Sequence, residues 1–169
     1  IIDKKINQKR TEASIEEISK ALDLTKEQSK EEERRILKSI VEFGNTDVKE
    51  IMKSRVDTIA IKESVPFQEV VSIVVDSGFS RIPVYREQFD NVSGILYIKD
   101  LIPNLEKNTD FNWNKICRKP YFVPETKMIN DLLKEFQAKK NHIAIVVDEY
   151  GGVSGIVTLE DVLEEIVGE

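Results

Sequence analysis

The stretch SGILYIKDLI, Ser93–Ile102, is written a second time as SGIVTLEDVL, Ser154–Leu163. A chain that repeats itself in this way is built from two copies of one unit, and each copy needs a surface on which to bury its apolar face. From Ser80 to Ile102 the match reads without a gap. Ile82, Val92, Ser93, Gly94, Ile95 and Asp100 return as Ile143, Val153, Ser154, Gly155, Ile156 and Asp161. The strands match at an offset of 61 residues and the first helices at 62, which puts the one-residue difference at the helix-to-strand turn.

Each copy reads strand, helix, strand, strand, helix. In the first, TIAI is a short β-branched strand, and Phe67, Val70, Val71 and Val74 follow at the spacing of one helix face. SRIPVY and SGILYI are strands joined by the turn REQFDN, with Pro83 read as an edge-strand or bulge position. KDLIPNL starts a helix that Pro103 cuts short. In the second, YFVP precedes a helix carrying Ile129, Leu132, Leu133 and Phe136. HIAIVV and SGIVTL then pair through DEYGG, and EDVLEEIV closes by burying Val162, Leu163, Ile166 and Val167. Two copies are too few for a solenoid. The economical fold is α+β: two β-α-β-β-α units packed sheet to sheet about a pseudo-two-fold, leaving two symmetry-related clefts.

Ahead of the repeats lie polar helices. Ser14 with Glu17 and Thr25 with Gln28 fit capping boxes, and Ile15, Ile18 and Leu22 make a narrow apolar stripe. EEERRILKSIVEFG follows as a helix with Gly44 as its stop. The divisions are 1–45 for the helical linker, 46–107 and 120–169 for the repeats, and 108–119 for the connector, in which Trp113 packs onto a sheet. No apolar run is long enough to span a bilayer. A net charge of −6 argues against a general nucleic-acid binder, which needs a basic surface. One cysteine, Cys117, cannot form an internal disulfide, so a reducing compartment is the simpler reading. With no initiator Met, the chain reads as a piece of a longer protein.

A β-α-β-β-α unit ending in Gly, apolar, any, Thr/Ser, two residues and Asp resembles the CBS domain, and two in tandem resemble a Bateman module. SGFSRIPVY, HIAIVVDEYGG and GIVTLEDVLEEIVGE are more narrowly similar to the CBS pair of CorC/HlyC-type transporters, bacterial relatives of the CNNM magnesium transporters. The helical prelude resembles the segment joining their membrane domain to the pair, and SIEEISKALDLT looks like the gliding-motility-associated, GldE-like branch. Ser54 departs from the family by replacing a common Pro, and Tyr97 by standing in the Thr/Ser slot. The resemblance implies a cytoplasmic module at the inner membrane, attached to a transmembrane domain, homodimeric through helices of its repeats, and binding adenine nucleotide (ATP, or AMP/ADP).

In GIVTLED, Gly155 lets a backbone or a flat ring approach closely. Thr158 sits at the strand-to-helix turn, where helix amides favour an anion. Asp161, one turn on, can accept hydrogen bonds from two ribose hydroxyls. The same Thr-x-x-Asp spacing is also a capping arrangement that needs no ligand. The resemblance makes Thr158 and Asp161 the phosphate and ribose contacts, and brings Phe79, Ser80 and Arg81 to the same cleft. Arg81 is a fork for phosphate or a plain surface residue; Pro83 is structural or touches the base. Glu160 is a first-turn acid or a holder of Mg2+ bridging the phosphates. In the twin site Tyr97 is too bulky for threonine's task, Asp100 remains, and His142 takes the place of Arg81, so that cleft is degenerate and one nucleotide binds per chain. His142 has no metal partner at ligand spacing, and no metal site is expected. There is no Walker loop, and GGVSGI fails the G-x-S-x-G pattern, so an enzyme is not expected. A ligand-free structural dimerisation module is the alternative to a nucleotide sensor.

Overall fold

The computed structural model describes residues 30–167. The capping boxes at Ser14 and Thr25 and the stripe Ile15, Ile18 and Leu22 lie outside the described residues. Helix α1, Lys30–Asn45, opens on Glu31, Glu32 and Glu33, whose charges suit a helix N-terminus. It runs through Gly44, expected as its stop, and ends one residue later. Thr46–Val162 forms a separate compact unit.

That unit begins with the single turn α2 (Val48–Ile51), capped by Asp47, and the two-residue strand β1 (Lys53–Ser54). The first copy follows with β2 (Ile61–Lys62), α3 (Phe67–Ser77), β3 (Arg81–Tyr85), β4 (Val92–Tyr97) and α4 (Ile98–Leu101). The second supplies β5 (Phe122–Pro124), α5 (Ile129–Lys139), β6 (Ile143–Val147), β7 (Val153–Thr158) and α6 (Leu159–Val167). In each copy a parallel strand and an antiparallel strand flank a central one: β2-β3-β4 and β7-β6-β5. The predicted α+β pair of units is therefore the observed fold.

The helices form where the apolar spacing placed them. Phe67, Val70 and Val74 are buried on α3, which ends at Gly78 in the left-handed region with φ 68°. They pack with Ile61, Ile82, Val84, Leu96 and Leu101 into one core. Trp113 from the connector joins it, 2% exposed, with its indole N–H donating to the Val65 carbonyl at 2.7 Å. The last helix departs from expectation: Val162 is buried, but Leu163 and Val167 are 45% and 81% exposed.

Hydrogen-bond register corrects the alignment of the copies. Arg81 pairs with Tyr97 in β3–β4, and Ile143 with Thr158 in β6–β7. Since Tyr97 matches Thr158, the counterpart of Arg81 is Ile143 rather than His142. His142 matches Ser80 instead: the Ser80 carbonyl accepts from Ile98 N–H, and the His142 carbonyl accepts from Leu159 N–H, each at 2.9 Å. The bulge between Val84 and Tyr85 recurs between Val146 and Val147. The missing residue thus falls in the hairpin turn, and Ile82 corresponds to Ala144. Two strands of similar apolar residues slide by one without a visible signal, whereas their ladder does not.

The pairing also explains Pro83, which lies in the central strand and not at an edge. Its partner Ile95 turns its N–H and C=O the other way, to Arg118, at 2.8 Å each. On the opposite side the β2 pairing stops at Val84. A proline here forfeits no ladder bond.

The second sheet is completed from outside its own copy. β1 pairs antiparallel with β7, Lys53 opposite Ile156 and Ser54 opposite Gly155, giving the order β1-β7-β6-β5. Val48 N–H donates to Lys127 C=O at 2.8 Å, and Ile129 N–H to Thr46 C=O at 3.1 Å. The first sheet has the matching device in miniature, Arg118 bridging Ile95 beside β4. The sheets meet through Val92, Ile95 and Tyr97 against Ile143, Ile145, Val153 and Ile156. A Cβ on Gly155 would lie 2.0 Å from the Lys53 carbonyl oxygen; one on Gly94 would meet the Cys117 Cβ at 3.0 Å. Gly155 therefore serves the approach of a backbone. Gly155→Ala should cost about 2–3 kcal/mol and Gly94→Ala about 1 kcal/mol in urea denaturation, because the added Cβ overlaps a carbonyl oxygen at 2.0 Å in the first case and meets its nearest atoms at 3.0 and 3.3 Å in the second. Equal costs would contradict this account.

Candidate functional site

A cleft of about 360 Å³ opens where β7 runs into α6. Thr158, Glu160 and Asp161 line one wall, and Gly78, Phe79, Ser80 and Arg81 the other. The predicted residues Thr158, Asp161, Glu160, Phe79, Ser80 and Arg81 are thus brought together. Pro83 is not among the lining residues; it is buried within β3. Lys53, Ile59 and Ile156 complete the cleft and were not anticipated. Nothing local marks Lys53: it reaches the site only because β1 pairs with β7.

Thr158 and Asp161 cap each other. Asp161 Oδ2 accepts from Thr158 N–H at 2.9 Å, and Thr158 Oγ1 accepts from Asp161 N–H at 3.3 Å. This is a reciprocal capping box. It fixes both side chains at the head of α6, and one Asp161 oxygen takes no part in it.

Arg81 crosses the cleft to Glu160 at 3.4 Å, a long pair whose acidic partner is largely exposed. Its Nε is buried without a hydrogen-bond partner. Its guanidinium carbon lies 5.6 Å from the centre of the Tyr97 ring, which backs it from the inter-sheet core. Lys53 Nζ sits 4.6 Å over the Phe79 ring. The cleft thus holds two cations, an exposed aromatic face and a pinned hydroxyl–carboxylate pair. These groups suit an anion attached to a flat ring and a diol.

The twin position is arranged differently. Tyr97 is buried, and the Arg118 guanidinium covers its ring at 4.2 Å. Arg118 also grips Asp100 with both arms, Nε to Oδ2 at 2.7 Å and Nη2 to Oδ1 at 3.0 Å. That fork holds the Asp100 carboxyl below its ordinary pKa. His142, in the slot of Ser80, uses its carbonyl for the α6 turn, and no hydrogen bond or ion pair among the described residues joins it to Tyr97 or Asp100. Cys117 is pushed up to about 12, first by burial and then by the charges of Asp100 and Glu63.

The CBS-domain family model matches residues 48–107 and 114–168. This chain belongs to the CBS-domain family, as a tandem pair of the CorC/CNNM type. Hemolysin C of Brachyspira hyodysenteriae is 47% identical over 139 residues, covering 82% of this chain and 51% of that protein. The magnesium and cobalt efflux protein CorC of Escherichia coli K12 is 40% identical over 140 residues, covering 82% and 48%. The chain spans about half the length of these relatives. The CBS domain of a bacterial CNNM/CorC family Mg2+ transporter in complex with ATP superposes with a TM-score of 0.77 at 44% identity. The match covers 82% of this chain and 99% of that one. A CBS pair of this type is not an enzyme.

Two outcomes follow from the charges. Asp100 is depressed in the fold, so its stabilisation is complete above the unfolded value of 3.8 and is lost as pH falls through the lower folded value. Urea stability should fall below about pH 5, and Asp100→Asn should flatten that fall; an unchanged slope would refute the contribution. A thiol raised from 9.0 to about 12 has roughly a thousandfold less thiolate at pH 8. Native Cys117 should therefore alkylate far more slowly than the urea-unfolded chain.

Proposed function

We propose that this CBS pair is the cytoplasmic regulatory module of a CorC/CNNM-type membrane protein concerned with divalent cation (magnesium and cobalt) transport. An adenine nucleotide bound in the Thr158–Arg81 cleft controls the parent. The carrying observation is that cleft, in which Arg81 and Lys53 face Thr158 and Asp161 on an acidic chain. Likeness to a CBS domain solved with ATP supports the choice of ligand. In this reading Arg81 and Thr158 meet phosphate, the unused Asp161 oxygen meets ribose, and Phe79 lies against the base. Mg2+ on the phosphates would take Glu160 as its protein ligand, since Mg2+ is commonly held by one or two carboxylates together with phosphate oxygens.

Residues 1–45 then form the linker to a transmembrane domain, on the cytoplasmic side of the inner membrane; the segment SIEEISKALDLT supports a gliding-motility-associated parent. The exposed apolar residues Ile102 and Leu105 after α4, and Leu163 and Val167 on α6, support homodimerisation through these helices. Ligand alters the parent only by binding one arrangement of the module better than another. The ligand-free scaffold is the competing reading, favoured by the capping box, in which Thr158 and Asp161 already satisfy each other.

Differential scanning with ATP, ADP and AMP, with and without Mg2+, decides between them. At a hundred times Kd, binding adds about 2.7 kcal/mol, a rise of several degrees in Tm. Asp161→Asn, which keeps one capping oxygen, should lower nucleotide affinity about tenfold while leaving the ligand-free Tm within a few degrees. A melting curve unmoved by every nucleotide would establish the scaffold.

A further inference from the structure

The two copies contain the same pair of positions in different electrical states. Gly94–Ile95 on β4 and Gly155–Ile156 on β7 are equivalent, and each Ile is paired with a residue from outside its copy: Arg118 in one case, Lys53 in the other. Arg118 and Lys53 are therefore equivalent in position, one carrying a cation beside β4 and the other beside β7. The acid that stands ready for each is Asp100 or Asp161, one turn into the following helix.

Beside β4 the cation is consumed. Tyr97 makes no side-chain cap, and Arg118 takes Asp100 with both arms. Beside β7 one oxygen of the acid is engaged by backbone instead. Thr158 Oγ1 and N–H engage Asp161 in the capping box, and none of the ion pairs among the described residues uses Lys53. Its ammonium rests over the Phe79 ring in the open cleft. Arg118 is thus paired with Asp100, whereas Lys53 enters none of the ion pairs among the described residues. We infer that Lys53 is a ligand-binding residue of the Thr158 cleft: an ammonium without an acidic partner among the described residues, placed to take the negative charge of the ligand's phosphates. Because Lys53 belongs to β1, a ligand gripped there also holds the segment from Thr46 onward against the second sheet.

This inference rests on the nucleotide reading above, and one titration separates their failures. Isothermal titration with ATP, AMP and adenosine is run on the intact chain, on Lys53→Met, which keeps the apolar stem, and on Lys53→Arg. A lost charge-assisted contact should weaken ATP about tenfold in Lys53→Met, weaken AMP less, and leave adenosine unchanged. Lys53→Arg should restore ATP binding, and the salt dependence of ATP affinity should be shallower in Lys53→Met. If the unaltered chain binds ATP and Lys53→Met binds it equally well, the role of Lys53 falls and the nucleotide reading stands. Equal losses for adenosine and ATP would likewise overturn a charge role. If the unaltered chain binds none of the three, both fall together. Urea denaturation of both variants confirms that they retain the fold.

Discussion

Two backbone crossings, each made possible by a glycine, underlie the rest of the molecule. At Gly155 the Lys53 carbonyl comes so near that no side chain fits between the strands, and at Gly94 the connector passes less closely, its nearest atom 3.0 Å from where a side chain would begin. Through these contacts each sheet is finished by a segment that its own copy does not contain. The lead segment from Thr46 to Ser54 is bonded to the second copy, although it precedes the first. The apolar face shared by Val92, Ile95 and Tyr97 with Ile143, Ile145, Val153 and Ile156 then fixes the two sheets against each other. Neither copy buries its face or satisfies its strand edge alone, which is why the repeat comes as a pair.

The crossings also set the electrostatics. At the two places where a segment arrives from elsewhere stands a cation, Lys53 at one and Arg118 at the other. A third lock, Arg55 with Asp90 at 2.8 Å and Val153 N–H on the same Asp90 oxygen at 3.0 Å, ties the turn of the first copy to the second. The backbone hydrogen bond and the guanidinium hold Asp90 below its usual pKa. The two copies therefore differ in their charges: Arg118 is forked to Asp100, while Lys53 enters none of the ion pairs among the described residues.

Much of this was legible beforehand because it is local. Helical spacing identified the buried residues Phe67, Val70 and Val74, and Ile129, Leu132 and Phe136. The Thr-x-x-Asp spacing announces the capping box. The turn helix of KDLIPNL is short, as Pro103 requires. Periodicity and caps involve residues within one helical turn of each other, and such interactions are written in consecutive letters.

What required the folded chain was pairing between distant segments. The strand register moved the counterpart of Arg81 from His142 to Ile143, because similar apolar strands align equally well one residue apart until hydrogen bonds choose. Pro83 belongs to a central strand, tolerated where no ladder bond is due. Leu163 and Val167 share the apolar pattern of α6 with Val162 yet are exposed, which the pattern alone does not announce. The sequence by itself determined the two units, their elements and the capped turn at Thr158. Tertiary structure alone decided that Lys53 stands beside β7 and Arg118 beside β4, since backbone hydrogen bonding between segments of different copies leaves no periodic trace in either segment.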